Sequence, residues 1–179
     1  MQGKVPFNRW HRPDDLPVTP HRHHQLSVEP QFPLEQIYFM PFRYVRSFNE
    51  EGEAVYQPLE RNTRPTGIDI FDQYLNYLSA GNNSPEPFAK KRGIEVSELF
   101  AMVFILTGIM GCDFALMWRT LQADDLLRFT NLKLSEVARR SGIGTGQNLY
   151  YTYMRDHHCT PSERRRQIRQ KGDAGRYAL

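Results

Sequence analysis

The spacing of apolar and polar residues divides the chain into stretches of different character. Residues 1–36 show no period: "WHRPDDLPVTPHRHHQ" (Trp10–Gln25) typifies a proline-rich segment with no amphipathic face. Such a segment predicts an extended arm, ordered only where a surface holds it. "QIYFMPFRYVRSF" (Gln36–Phe48), followed by "NEEG" and "EAVYQPL", reads as a β-hairpin or a pair of edge strands, with Pro41 forcing an irregularity. From Thr66 onward the period is helical and no strand is expected. Ile68, Phe71, Leu75 and Leu78 fall on one face of a helix with Gly81 as its C-cap. A short helix over "PFAKKRG" ends at Gly93, and Asp113 is placed to cap a long amphipathic helix running to Thr130. Three further helices follow, over "LSEVARRSG", "TGQNLYYTYMRDH" and "TPSERRRQIRQ".

One stretch breaks the polar background. "ELFAMVFILTGIMG" (Glu98–Gly111) is almost wholly apolar in a chain of mean hydropathy −0.61, and no Lys or Arg occurs between Arg92 and Arg119. It is too short for a bilayer span, which takes roughly 20 apolar residues. A helix buried on more than one side is the remaining reading, so no membrane partner is expected.

Composition narrows the class. At 179 residues the chain is long enough for one ordinary domain or a small domain with an extension. Lys4 and Arg9 are followed by prolines rather than an apolar core, so no signal peptide is expected. Cys112 and Cys159 make neither a disulfide framework nor a zinc spacing, which points to a reducing cytoplasm. His21, His23 and His24, with His11 nearby, lack further ligands at usable spacing, so no metal is expected and they read as a solvated tail. No carboxylate pair, nucleophile–base set or phosphate loop is evident, and an enzyme is not expected. "GIGTG" (Gly142–Gly146) follows a helix where a nucleotide loop needs a strand, and it has no lysine.

Charge is uneven along the chain. Residues 133–179 hold ten Lys/Arg against four Asp/Glu, for +6, while residues 1–132 hold thirteen against sixteen, for −3. A basic C-terminal quarter fits a polyanionic partner. Within it, "LSEVARRSGIGTGQNLYYTYM" (Leu134–Met154) has the pattern of a helix-turn-helix. Ser135 is a candidate cap for the first helix, whose Leu134, Val137 and Ala138 face inward. Gly142 supplies positive φ for the turn, Ile143 fills the corner, and Thr145 caps the second helix. Leu149, Thr152 and Tyr153 then point to the core, leaving Gln147, Asn148, Tyr151 and Arg155 on the opposite face. Amide and phenol groups there can hydrogen-bond base edges, with Thr145, Gln147, Asn148 and Tyr151 as the candidate base readers. Lys133, Arg139, Arg140 and Arg155 stand nearby as candidate phosphate contacts.

The same residues carry a resemblance. "LKLSEVARRSGIGTGQNLYYTYMRDHHCTPSERRR" resembles the second helix-turn-helix and closing helix of the AraC/XylS family of bacterial transcription regulators. Thr160, Pro161, Ser162, Glu163 and Arg164–Arg166 match the family's capped, arginine-rich closing helix. "FAKKRGIEVSELFAMVFILTG" fits its first helix-turn-helix, and "FALMWRTLQADDLLRFTNLKL" the helix joining the two. The resemblance covers about Gly67 to Arg169. It implies a mainly α fold of two helix-turn-helix subdomains joined by a long helix, here preceded by an irregular arm with a possible β-hairpin. It also implies double-stranded DNA as partner, and it adds Arg164, Arg165 and Arg166 to the phosphate set. The expected organisation is an arm over 1–66, a DNA-binding domain over 67–170 and a tail over 171–179. Within the domain, 67–112 forms a degenerate first helix-turn-helix, 113–130 the joining helix, and 131–170 the second helix-turn-helix with the closing helix.

Two departures refine this. Gly144 and Gly146 stand in the opening turn of the second recognition helix where the family usually has serine, aspartate or glutamine, and Tyr151 replaces a common arginine. The first recognition helix, with Leu99, Met102 and Val103 inward, presents Phe100, Ala101, Phe104 and Ile105 outward and starts with Glu95 and Glu98. Acidic and apolar groups oppose phosphate contact, and four apolar side chains in one patch are costly in water. That face is therefore expected to lie under the arm, through Ile37, Phe39, Phe42 and Tyr44, or to be an interface for a protein partner or a second copy. The N-terminal 66 residues are too few for a metabolite-sensing barrel, so neither a small-molecule effector nor a cofactor is expected. The expected function is a bacterial, cytoplasmic transcription regulator reading the major groove mainly through the second helix-turn-helix. The alternative is a protein-interaction module on the same scaffold with weak or no DNA binding.

Overall fold

The computed structural model describes residues 28–179. The histidines at 11, 21, 23 and 24 and residues 1–27 of the expected arm lie outside the described residues. The described part is mainly helical with one small antiparallel sheet. The chain runs through α1 (Leu34–Ile37), β1 (Tyr44–Phe48) and β2 (Ala54–Pro58), then α2 (Asp69–Ser79), α3 (Glu86–Arg92) and α4 (Val96–Thr107). The long α5 (Gly111–Phe129) is followed by α6 (Leu134–Arg140), α7 (Gly146–Asp156), α8 (Pro161–Ile168) and β3 (Tyr177–Ala178). Strand order is β2-β1-β3, all antiparallel, with Tyr44 opposite both Pro58 and Ala178.

Two cores sit side by side, and α5 belongs to both. Its first half gives Phe114, Ala115 and Trp118 to a cluster with Phe71, Tyr74, Leu75 and Leu78 of α2, Phe88 of α3, and Leu99, Val103 and Leu106 of α4. Its second half gives Ala123, Leu126, Leu127 and Phe129 to a cluster with Val137 and Ala138 of α6 and Leu149 and Tyr153 of α7. Between them Gln122 is fully buried, and its amide Nε2 donates to the Ser79 carbonyl at the end of α2. The apolar stretch at 98–111 is thus most of α4, a bend and the start of α5. No single helix among the described residues is long and apolar enough to cross a membrane; α4 and α5 pass that test only together, and they are bent by 70°.

The two units also touch through backbone. Gly81 (φ +80°) and Gly142 (φ +77°) meet where the end of α2 crosses the α6–α7 turn. A Cβ on Gly81 would lie 2.5 Å from the Arg140 carbonyl oxygen, and one on Gly142 would lie 3.0 Å from the Gly81 oxygen. Both positions combine a left-handed backbone with no room for a side chain, so glycine is required at each.

The N-terminal segment is a strap across both cores. Phe32 N–H donates to the Leu106 carbonyl, and Leu34, Ile37 and Phe39 bury themselves in the first cluster. Tyr38 and Phe39 each meet the edge of Trp118, at 5.0 and 5.4 Å between ring centroids. Three residues later Phe42, fully buried, enters the second cluster, stacking on Tyr177 and meeting Phe129 edge-on.

Several local expectations are corrected. Residues 34–37 form a turn of helix, because a single turn suffices to bury Leu34 and Ile37 together. The strand at 177–178 is built on the open edge of β1, a tertiary pairing with no local signal in two residues. Lys133 rather than Ser135 is the N-cap of α6, and its carbonyl accepts from Glu136 and Val137. Met110 rather than Asp113 is the N-cap of α5, since Gly111 is already helical beneath the ring of Phe100.

Candidate nucleic-acid interface

α6, its turn and α7 display one helix face to solvent. Val137 and Ala138 bury α6, and Gly144 N–H closes the turn on the Ala138 carbonyl. Thr145 is the N-cap of α7, its Oγ1 accepting from Asn148 N–H at 3.1 Å. One lone pair of its hydroxyl oxygen therefore holds the helix start, while its O–H remains a donor that can reach a base. Leu149, Thr152 and Tyr153 bury the opposite side. Gln147 and Asn148 are exposed and Tyr151 is half-buried. Gln147 Nε2 donates to Tyr151 Oη at 3.2 Å, so the two groups are held as neighbours one turn apart. The face carries no acid until Asp156, which pairs with Arg155 at 2.6 Å.

α8 braces this unit through one half-buried carboxylate. Asp124 on α5 accepts from Tyr153 Oη at 2.8 Å and from two nitrogens of Arg164, the nearer at 2.6 Å. Thr160 and Glu163 form the capping box that starts α8, and their mutual hydrogen bonds hold the Glu163 carboxyl below its usual value. Arg165 donates to the Leu132 carbonyl, and burial with Arg169 nearby lowers its pKa. Arg169 caps the C-terminus of α5, donating to the carbonyls of Leu127, Arg128 and Thr130.

The basic quarter thus divides in two. Arg164, Arg165 and Arg169 spend their donors inside the fold. Lys133 and Arg166 are exposed. Arg139 and Arg140 share Glu136, which they hold at a pKa of about 2 through their hydrogen bonds, so the trio keeps one net positive charge.

Two clefts flank the start of α7. The first, about 260 Å³, lies between α5 and α7 and is lined by Leu116, Arg119, Asn148, Tyr151 and Arg155 among others. Arg119, which sequence reasoning did not single out, donates to the Asn83 carbonyl, and burial depresses its pKa. The second, about 750 Å³, is lined by Arg43, Asn82, Asn83, Arg139, Arg140 and Thr145 among others. Arg119 and Arg43 lie far from α7 in sequence, and only the packing of α5 and the sheet brings them beside it.

The first unit presents a different surface. Glu98 Oε2 accepts from Glu95 N–H at 2.8 Å, so these acids cap α4 and suit its positive end. Phe100 is half-buried with its ring over Gly111, and Phe104 is half-buried. Ala101 is exposed, and Ile105 is 56% exposed. Ile37 and Phe39 of the strap enter the core beneath α4, whereas Phe42 packs in the second cluster and Tyr44 is exposed on β1. The described strap therefore leaves Ala101 and Ile105 uncovered.

No protein-family model matches the chain, and no curated protein matches it. Two solved structures are similar over part of it. The DNA-binding domain of AdpA, a global transcriptional factor, in complex with a target DNA, gives a TM-score of 0.48 at 22% identity, over 55% of this chain and 88% of that one. The xylose-binding transcription activator XylR gives a TM-score of 0.47 at 18% identity, over 66% of this chain and 33% of that one.

Proposed function

We propose that this chain is a bacterial, cytoplasmic transcription regulator that reads double-stranded DNA chiefly through α7. The observation that carries the reading is the exposed face of that helix. Amide and phenol groups, free of acids for three turns, stand on a helix rigidly backed by two others and ringed by cations. Asn148, Gln147 and Tyr151 are the base-reading groups, with Thr145 donating its hydroxyl. Lys133, Arg139, Arg140, Arg155 and Arg166 meet phosphates; Arg164 and Arg165 are structural cations that fix α8.

Selection of bound genomic fragments, followed by mutation, tests the assignment. Asn148→Ala or Tyr151→Ala should cost on the order of 1–3 kcal/mol at the selected site and relax base preference there. Wild-type affinity and preference in both variants would mean that another face reads the DNA.

A second reading draws on the exposed Ala101 and Ile105 beside Glu95 and Glu98. In it α4 docks a protein partner and DNA binding is weak or absent. An electrophoretic shift against random genomic DNA separates the two, because an interaction module gives no complex, or only a weak one, at concentrations where a regulator shifts the fragments fully.

A further inference from the structure

The cleft beside the start of α7 contains an arginine that belongs to neither helix-turn-helix. We infer that Arg43, carried by the N-terminal segment, contacts the DNA backbone, and that this cleft seats one phosphodiester of a duplex held by α7. The inference rests on the DNA-binding reading and extends the contact surface to the sheet.

Four observations support it. Arg43 is exposed, and no hydrogen bond or ion pair of its side chain is found among the described residues. It lines the same cleft as Thr145, Arg139 and Arg140, so it stands on the flank of the candidate reading helix. The cleft is cationic: Arg43, Arg139 and Arg140 stand against the carboxylate of Glu136 and the terminal carboxylate of Leu179, which also lines the cleft, for one net positive charge. The nearby Arg61 has its pKa lowered, by burial and then by the positive charge of Arg43.

The fold also holds Arg43 rigidly. Its N–H donates to the Ala178 carbonyl at 2.8 Å, and its own carbonyl accepts from Leu59 N–H at 2.7 Å. Its neighbour Phe42 is locked between Tyr177 and Phe129. A backbone fixed on both edges and beside a buried ring sets the position of the Arg43 Cα, so a phosphate contact has only side-chain rotamers to order. This gives the small sheet a use that neither core requires.

The test measures affinity against salt for Arg43→Gln, Arg43→Lys and, as control, Lys91→Gln on the exposed end of α3. Arg43→Gln should weaken selected and random duplexes alike and lower the slope of log K against log salt by about one unit. Arg43→Lys should restore the slope, because it is charge that the phosphate reads. Lys91→Gln should leave the slope unchanged at the same net charge as Arg43→Gln, and all three proteins should melt like wild type. An Arg43→Gln protein with the wild-type slope overturns this inference and leaves the reading by α7 standing. A wild-type protein that binds no duplex overturns both.

Discussion

In the first helix-turn-helix unit α4 begins with Glu95 and Glu98 and leaves Ala101 and Ile105 in water. In the second, α7 begins at a threonine cap and leaves Gln147, Asn148 and Arg155 there. Their inner faces obey one rule. Leu99, Val103 and Leu106 bury α4 against α5 at i, i+4, i+7, and Leu149, Thr152 and Tyr153 bury α7 at i, i+3, i+4, both within one helical face. Packing against the shared helix constrains only the inward positions, so the outward ones are free to diverge. The units differ again in how they are tied down. The first is closed by aromatic rings of the strap around Trp118, the second by the Asp124–Arg164–Tyr153 cluster and the capped α8. One scaffold thus carries a unit with an apolar, acid-headed surface and a unit with an amide-rich, cation-ringed one.

The largest test of that contrast removes the ring on which the strap closes. Trp118 is fully buried, so Trp118→Ala should cost about 3–5 kcal/mol by chemical denaturation. Amides of α2–α4 should lose more hydrogen-exchange protection than those of α6–α8, which keep the anchors at Phe42 and Asp124. Equal loss in both would show that the units do not stabilise separately.

A smaller effect belongs to the place where the strap crosses between them. Tyr38 Oη donates to Asp125 Oδ2 at 2.6 Å, yet burial pushes the Asp125 carboxyl up to about 6, with Tyr38 and Arg128 opposing and Asp124 adding to the rise. A carboxyl raised in the folded state favours folding when protonated. Its contribution is full below the ordinary value near 4 and is lost as pH rises through about 6. Asp125→Asn keeps an acceptor for Tyr38, so it should gain on wild type by on the order of 1 kcal/mol at pH 7 and by almost nothing at pH 4. A gain that is the same at both pH values would contradict this account of Asp125.

The smallest expected change sharpens the contrast most. Ile105→Arg adds a cation to an exposed side of α4 and should alter stability by less than about 0.5 kcal/mol. If α4 faces no DNA, affinity and salt slope stay at wild-type values. A steeper slope with tighter binding would make the first unit a second reader.

What the sequence alone determined is the helical two-thirds of the chain and the second helix-turn-helix. Their signals are local: the spacing of Leu149, Thr152 and Tyr153, the glycine at 142, and the caps at Thr145 and Thr160 all act within a turn or two. Ser135 and Asp113 misled because capping propensity is weak where packing sets the helix start. The tertiary structure alone decided which arginines face outward. Arg164 looks identical in sequence to Arg166, but Asp124, forty residues earlier, turns it inward. It also decided that the N-terminal segment straps both cores, that the last strand joins β1, and that Arg43 and Arg119 flank α7. Each of these depends on groups distant in the chain meeting at the surface of another element, and periodicity holds no record of such meetings.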